Sequence, residues 1–422
     1  MSSKVEKQGN MDLPYFKIDQ PNNQSGSARI GTLVTSHGAI PTPAFFPVAT
    51  QGSVKSLSSD DIADTGYKAF ISNAYHLSLR PGIGPINSMG GLHKFINWPG
   101  AIATDSGGFQ IASLARNISI SDEAVTFRSH IDGSLHHLSP ETAIKIQEDL
   151  GSDIIMAFDQ PISYGANKTE VTTAMRRTHS WLTRSVNAHR GGSLLYGIIQ
   201  GGTYQDLRAE SSKFVSSSQG IQGIAIGGLS LGEPKSVLWE MVDISKDLVS
   251  PNMPKHLLGV GSPEDLVEGV GRGIDTFDCV LPTRIARKGS LYTSEGRINV
   301  TNSKFRISTD PISNDCDCYT CKNYSLGYLN HLFKSSELLA YRLGTIHNLR
   351  FIFQLMETLR ESIATGKYLE FKRDFMNSYE PVQESVRREQ KRLWAISQER
   401  KQEDIERSIE SASSEVNNQL HE

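Results

Sequence analysis

Short apolar runs recur along most of the chain: Ala44–Thr50, Ala69–Asn73, Ala101–Asp105, Asp153–Asp159, Leu194–Gln200, Gly223–Gly227, His256–Val260 and Thr276–Val280. Most are continuously apolar rather than alternating, the pattern of strands buried on both faces. The stretches between them carry helix signals. Ser139-Pro140-Glu141 supplies a cap, a proline at the first helical position and an acid in the first turn. Ser262-Pro263-Glu264-Asp265 does the same, and Leu266–Val270 then repeats helically until Gly271 and Gly273 stop it. Strand, capped helix and strand again means parallel strands joined by crossovers. Eight such strands predict an α/β fold closed as a (β/α)8 (TIM) barrel, with an open doubly wound sheet as the alternative.

Three regions depart from this rhythm. In residues 15–40, Tyr15–Ile18, Ala28–Thr35 and Ile40–Thr42 surround Gly and Asn turns, predicting a small antiparallel sheet that plugs the bottom of the barrel. Residues 107–138 are too long for a simple crossover and predict inserted strands such as Ala124–Ser129. Residues 290–350 interrupt the last strand–helix unit and hold three cysteines. The expected organisation is a flexible N-terminus over 1–14, a barrel over 15–375 with an insertion at about 290–350, and a charged helical tail over 376–422, frayed from Ser411 onward.

Composition narrows the function classes. The chain has 422 residues, 38% of them hydrophobic and 21% charged, ample for a buried core. Its 43 Lys and Arg nearly balance 46 Asp and Glu, which argues against indiscriminate nucleic-acid coating but leaves room for a local basic site. No apolar run approaches the roughly 18 residues of a membrane span, and Met1–Asp12 lacks a secretory apolar region. Four cysteines are too few for a disulfide scaffold and suit a reducing cytoplasm.

In such barrels the active site lies at the C-terminal ends of the strands. The third run ends in Asp105, followed by Ser106-Gly107-Gly108-Phe109-Gln110. The fourth ends in Asp159, the fifth in Gln200-Gly201-Gly202 and the sixth in Gly227-Gly228-Leu229, while the eighth contains Asp278-Cys279. Three carboxylates and a carboxamide are thus expected on one rim. Two carboxylates across a cleft suit chemistry at an anomeric carbon, one attacking while the other moves the proton. The paired glycines leave backbone groups open to a flat ligand, Gln200 and Asp159 can read a base edge, and Phe109 can stack on its face. Turn geometry alone accounts for many of the glycines.

Cys316-x-Cys318-x2-Cys321, with His347 further along, forms a closed set of three thiolates and an imidazole, the donor set of a structural zinc site. Cys279 reads as a core thiol; His76, His136 and His137 have no matching ligand partners in sequence. From Arg284 to Arg306 the positive residues are Arg284, Arg287, Lys288, Arg297, Lys304 and Arg306, opposed only by Glu295. Running from Asp278 toward the cysteines, this stretch is a candidate phosphate-binding surface for RNA.

Taken together, these residues resemble the tRNA-guanine transglycosylases over roughly residues 15–370. The resemblance rests on Pro47–Gly52, Thr104–Gln110, Gly197–Gly202, Phe277–Arg284 and the Cys/Cys/Cys/His set, with a bacterial flavour around Asp317–Cys321 and Thr345–Arg350. It implies a homodimeric, zinc-bearing barrel, one structural Zn2+ per subunit, exchanging the wobble guanine of GUN-anticodon tRNAs for a 7-deazaguanine. It also implies Asp278 as nucleophile and Asp105 as general acid/base. Ser106, Phe109, Asp159, Gln200, Gly228 and Leu229 would form the base pocket, and Arg284, Arg287 and Lys288 would hold the anticodon loop. Exchanging one glycosidic bond for another needs no nucleoside triphosphate, and no P-loop pattern occurs.

Two segments depart from the bacterial pattern. Gln160-Pro161-Ile162 stands where Glu-Cys-Thr is common, and Ser230-Leu231-Gly232 where Ala-Val-Gly is common. Queuine-using eukaryotic members carry a glycine at the position of Leu231. The bulky Leu231 favours a small incoming base, 7-aminomethyl-7-deazaguanine, with queuine as the alternative. A non-catalytic tRNA-binding partner subunit is a further alternative, disfavoured because Asp105 and Asp278 are both present.

Overall fold

A computed structural model describes residues 15–21, 26–386, 389 and 393. The expectations for residues 1–14 and 411–422 lie outside these, as does most of the charged stretch 384–407.

The eight apolar runs form the strands Ala44–Ala49, Ala69–Ser72, Ala101–Thr104, Ile154–Met156, Leu194–Ile199, Gly223–Ile226, Lys255–Leu257 and Thr276–Cys279, closed into a parallel barrel. Closure is explicit: Thr276 pairs with Ala44 and Asp278 with Phe46, so the eighth strand hydrogen-bonds to the first. This excludes the open doubly wound sheet.

Alternation along each strand sorts side chains into two cores. Phe46, Ile71, Ala103, Met156, Ile198 and Ala225 fill the lumen. Phe45, Phe70, Ile102, Ile155, Ile199 and Phe277 point outward under the helices. The expected antiparallel sheet is Phe16–Pro21, Arg29–Thr35 and Gly38–Thr42. Its Phe16, Leu33 and Ile40 pack onto the lumen residues, closing the N-terminal mouth. A bidentate Arg29–Asp275 pair, at 2.8 and 2.5 Å, fastens it to the start of the eighth strand.

After the third strand, the helix Gly108–Leu114 leads into an antiparallel sheet of Arg116–Ile120, Val125–Arg128 and Leu135–Leu138, the insertion expected there. After the eighth come a hairpin, Ser290–Thr293 and Gly296–Asn299, and the helices Tyr319–Asn323 and Leu326–Lys334. The 27-residue helix Leu338–Ala364 follows. This helix joins the two regions: Leu343 belongs to the insertion's own core with Leu291, Val300 and Leu329, whereas Ile352, Leu355 and Leu359 cover the barrel. Among the described residues, no helix is long and apolar enough to cross a membrane.

Candidate active site and metal centre

The C-terminal ends of the strands bring the expected polar groups to one mouth. Asp105 follows the third strand. Its Oδ2 accepts from Asn73 Nδ2 at 2.6 Å and Gln110 Nε2 at 2.9 Å, and its Oδ1 from the Ala74 N–H at 3.2 Å. Burial pushes its pKa up to about 8. The charges of Asp278 and Asp159 push the same way, while the N–H groups of Ala74 and Gly107 oppose them. The shift favours the protonated form of Asp105 at neutral pH.

Beside it, Ser106 Oγ donates to Asp159 Oδ1 at 2.8 Å and Gln200 Nε2 donates to Asp159 Oδ2 at 2.7 Å. All three side chains are buried. Burial raises the Asp159 pKa, and the two donors resist that rise. Two glycines make this packing sterically feasible. A Cβ on Gly228, at φ +66°, would lie 2.3 Å from Gln200 Oε1, and one on Gly108 would lie 2.5 Å from the Asp159 carbonyl oxygen. Leu229 packs into the core beneath the helices, so any contact it makes with a base comes from its backbone. Phe109 stands at the rim, 45% exposed.

On the eighth strand Phe277 points outward, which turns Thr276 and Asp278 into the lumen. Asp278 Oδ1 accepts from His256 Nε2 at 3.1 Å and from the Gly259 N–H at 3.2 Å. The next turn is the helix Leu281–Ala286, which carries Arg284 and is followed by Arg287 and Lys288. Arg287 is half-buried, its Nη1 donating to the Thr283 carbonyl at 3.0 Å; Lys288 is exposed. These cations lie close in sequence to Asp278, but none of them pairs with the site carboxylates.

Some residues that build the site were not singled out from sequence. Asn73 ends the second apolar run and supports Asp105. Arg208, fully buried, donates to the carbonyls of Gly202 (2.8 Å), Ile199 (3.2 Å) and Gly227 (2.8 Å), tying the fifth and sixth strand ends together around Gln200. Glu233 accepts from the N–H groups of Ser230, Leu231 (2.9 Å) and Gly232 (3.0 Å), shaping the loop after Leu229. His256 contacts Asp278. Asn73 had a signal, a polar residue at a strand end. Arg208 and His256 had none, because their partners lie on other strand ends, and Glu233, whose partners are the three residues before it, belongs to no motif.

The Cys316, Cys318, Cys321 and His347 donor atoms lie within 4.8 Å of one another. The three sulfurs stand 3.7, 3.7 and 3.3 Å from His347 Nδ1. His347 Nε2 donates to the Tyr292 carbonyl at 2.7 Å, which leaves Nδ1 as the ligand atom facing the thiols. The cluster suits a metal ion. Cys279 is a buried thiol donating to the Gly259 carbonyl.

A second group, His37, His93 and Asp153, lies at the opposite end of the barrel. Its imidazoles stack with centroids 3.6 Å apart and planes 15° from parallel. Their ring nitrogens engage separate oxygens of Asp153, at 2.8 and 3.1 Å. Near-parallel rings do not aim their lone pairs at one ion. This group bolts the N-terminal sheet to the barrel floor.

A family model described as queuine tRNA-ribosyltransferase matches residues 23–381. A queuine tRNA-ribosyltransferase of Dehalococcoides mccartyi is 49% identical over 380 residues, covering 90% of this chain and 96% of the relative. Another, from Thermoanaerobacter sp., is 50% identical over 355 residues, 84% of this chain and 94% of its own. A third, from Herpetosiphon aurantiacus, is 48% identical over 366 residues, 86% and 93% respectively. With a closed barrel, the polar rim and the Cys3His cluster, the chain belongs to the queuine tRNA-ribosyltransferase family, the tRNA-guanine transglycosylases, which are pentosyltransferases.

Proposed function

We propose that this chain exchanges the wobble guanine of GUN-anticodon tRNAs, those for Asp, Asn, His and Tyr, for a 7-deazaguanine base by double displacement. The observation that carries this reading is the pairing of Asp105 with Asp278. They come from the third and eighth strands of one barrel mouth, and the charge of Asp278 helps to keep Asp105 protonated.

In the first displacement an Asp278 oxygen attacks the ribose C1′. The C1′–N9 bond breaks, its electron pair leaves with guanine, and Asp105 supplies the proton that neutralises the departing base. In the second, the incoming base gives its N9 proton to Asp105 and N9 attacks C1′. The C1′–oxygen bond to Asp278 then breaks and the free carboxylate returns. Atoms and charge balance without an external energy source.

The remaining roles follow the chemistry of each group. Asp159 and Gln200 face the imino and amino edge of the base, with Ser106 steadying Asp159. Phe109 stacks on the ring, and Gly228 and Leu229 offer backbone groups. Arg284, Arg287 and Lys288 hold anticodon-loop phosphates. Cys316, Cys318, Cys321 and His347 hold one structural Zn2+, a four-donor set that leaves no position for water. The metal's contribution is to fix the insertion beside the basic stretch. Leu231 favours 7-aminomethyl-7-deazaguanine as the incoming base. The working unit is a homodimer in the cytoplasm, where its tRNA substrates are found.

The test is incorporation of 7-aminomethyl-7-deazaguanine or queuine, offered separately, into a GUN-anticodon tRNA, with trapping of a denaturant-stable RNA adduct. Uptake of the smaller base, with the adduct lost in Asp278→Ala, is expected. A surviving adduct would refute the nucleophile. Uptake of queuine would refute the steric reading of Leu231. Uptake of neither, with tRNA still bound, would leave the non-catalytic partner.

A further inference from the structure

His256 lies on the seventh strand, Lys255–Leu257, directly paired with Thr276 on the eighth. It is 1% exposed, and its ring lies 5.9 Å from that of Phe46 in the lumen. Its two nitrogens have different partners. Nδ1 lies 2.9 Å from Thr276 Oγ1, and Nε2 lies 3.1 Å from Asp278 Oδ1. With the Thr276 hydroxyl donating into Nδ1, the proton of the neutral ring resides on Nε2 and points at the carboxylate. The Gly259 N–H reaches the same oxygen at 3.2 Å. Among the described residues, no donor reaches Asp278 Oδ2. One oxygen of the carboxylate is held twice; the other is left unheld among the described residues.

We infer that His256 is a positioning residue for the exchange reaction: with Gly259 it pins Asp278 Oδ1 and so selects Oδ2 as the attacking atom. This rests on the transglycosylase reading of Asp278. The pin acts at both displacements. Before attack, it fixes the carboxylate plane, so that the Oδ2 lone pair is presented to C1′ without a search over side-chain rotamers. In the covalent intermediate, Oδ2 is the ester oxygen bonded to C1′ and Oδ1 is the ester carbonyl oxygen. When the incoming base attacks, the Oδ2–C1′ bond breaks and negative charge returns to the carboxylate. The two donors already aimed at Oδ1 stabilise that charge as it develops, without further reorganisation. Thr276 acts one step back, by keeping the imidazole proton on Nε2.

The inference separates chemistry from binding. His256 touches neither the base-reading group Asp159–Gln200 nor the cations after the eighth strand, so its loss should act on kcat and leave KM for tRNA nearly unchanged. Removing one such donor typically slows the chemical step by about 100-fold or more. His256→Phe keeps the ring volume and removes the donor. Its kcat and its single-turnover rate of adduct breakdown by the incoming base should fall by about 100-fold, with KM for tRNA within about twofold. His256→Gln, whose Nε2 can occupy nearly the position of the imidazole Nε2, should recover most of that loss. The shorter His256→Asn should not.

Wild-type kcat in a folded His256→Phe would overturn the inference. So would a loss expressed mainly in KM, or equal kcat for the Gln and Asn variants. If His256→Phe fails to fold, as judged by circular dichroism, the Gln and Asn pair decides by itself, since both are polar and only one reaches Oδ1. A wild-type chain that forms no adduct would instead refute the transglycosylase reading, and this inference with it.

Discussion

The Asn73 side-chain nitrogen lies 2.6 Å from Asp105 Oδ2, and it is held there because the other end of the same amide caps a helix. Asn73 Oδ1 accepts the His76 N–H at 3.0 Å at the start of Ala74–Leu79. The amide therefore cannot flip without losing the cap, and its donor stays on the carboxyl. This support favours the ionised form of an acid that burial pushes up to about 8.

A pH dependence follows. As an acid, Asp105 is competent while protonated, so kcat/KM for exchange should fall on the alkaline side with an apparent pKa near 8. Asn73→Ala removes a donor to the ionised form and should move that limb upward by about one unit. Stability has a matching sign. The folded-state pKa lies above the unfolded value, so the contribution of Asp105 is fully present below the ordinary carboxylate range and is lost as pH rises through 8. Asp105→Asn, inactive in exchange, should gain stability relative to wild type between about pH 5 and pH 9 in urea titrations. A pH-independent difference would show that Asp105 is ionised throughout.

The metal centre makes a separate prediction. Cys318 is buried, and its sulfur also accepts the Cys321 N–H at 3.3 Å, so it anchors both the donor set and the turn into Tyr319–Asn323. Cys318→Ala should lose stoichiometric zinc by elemental analysis. Structural zinc sites contribute on the order of 10 kcal/mol to local folding, so protease cleavage should then concentrate between residues 300 and 325. Full zinc retention would refute the ligand set.

The basic stretch is checked by salt. Each phosphate neutralised on a single strand contributes about 0.7 to the slope of log K against log salt. Arg287→Ala should flatten that slope for tRNA by roughly this amount and weaken binding. An unchanged slope would mean that the Arg287 guanidinium meets no phosphate and serves only to hold the Thr283 carbonyl.

The chain by itself determined the barrel, because strands buried on both faces must read as continuous apolar runs, and all eight runs became its strands. It also marked the rim, since Asp105, Asp159, Gln200 and Asp278 gather at the C-terminal ends of the barrel strands. The Cys3His cluster was legible from the spacing of Cys316, Cys318 and Cys321 together with His347 further along. Tertiary structure decided which polar groups meet. His256 reaches Asp278 because the seventh and eighth strands pair in one register, with His256 opposite Thr276. Arg208 looks like any cation on an amphipathic helix, yet it is buried against three carbonyls drawn from two strand ends. Asp105 is an ordinary carboxyl in sequence. Its pKa rises only where closing the barrel partly buries it and sets Asp278 and Asp159 near it. Apolar periodicity is a local property that survives in one dimension, whereas desolvation and hydrogen-bond partnership exist only once distant segments share the same space.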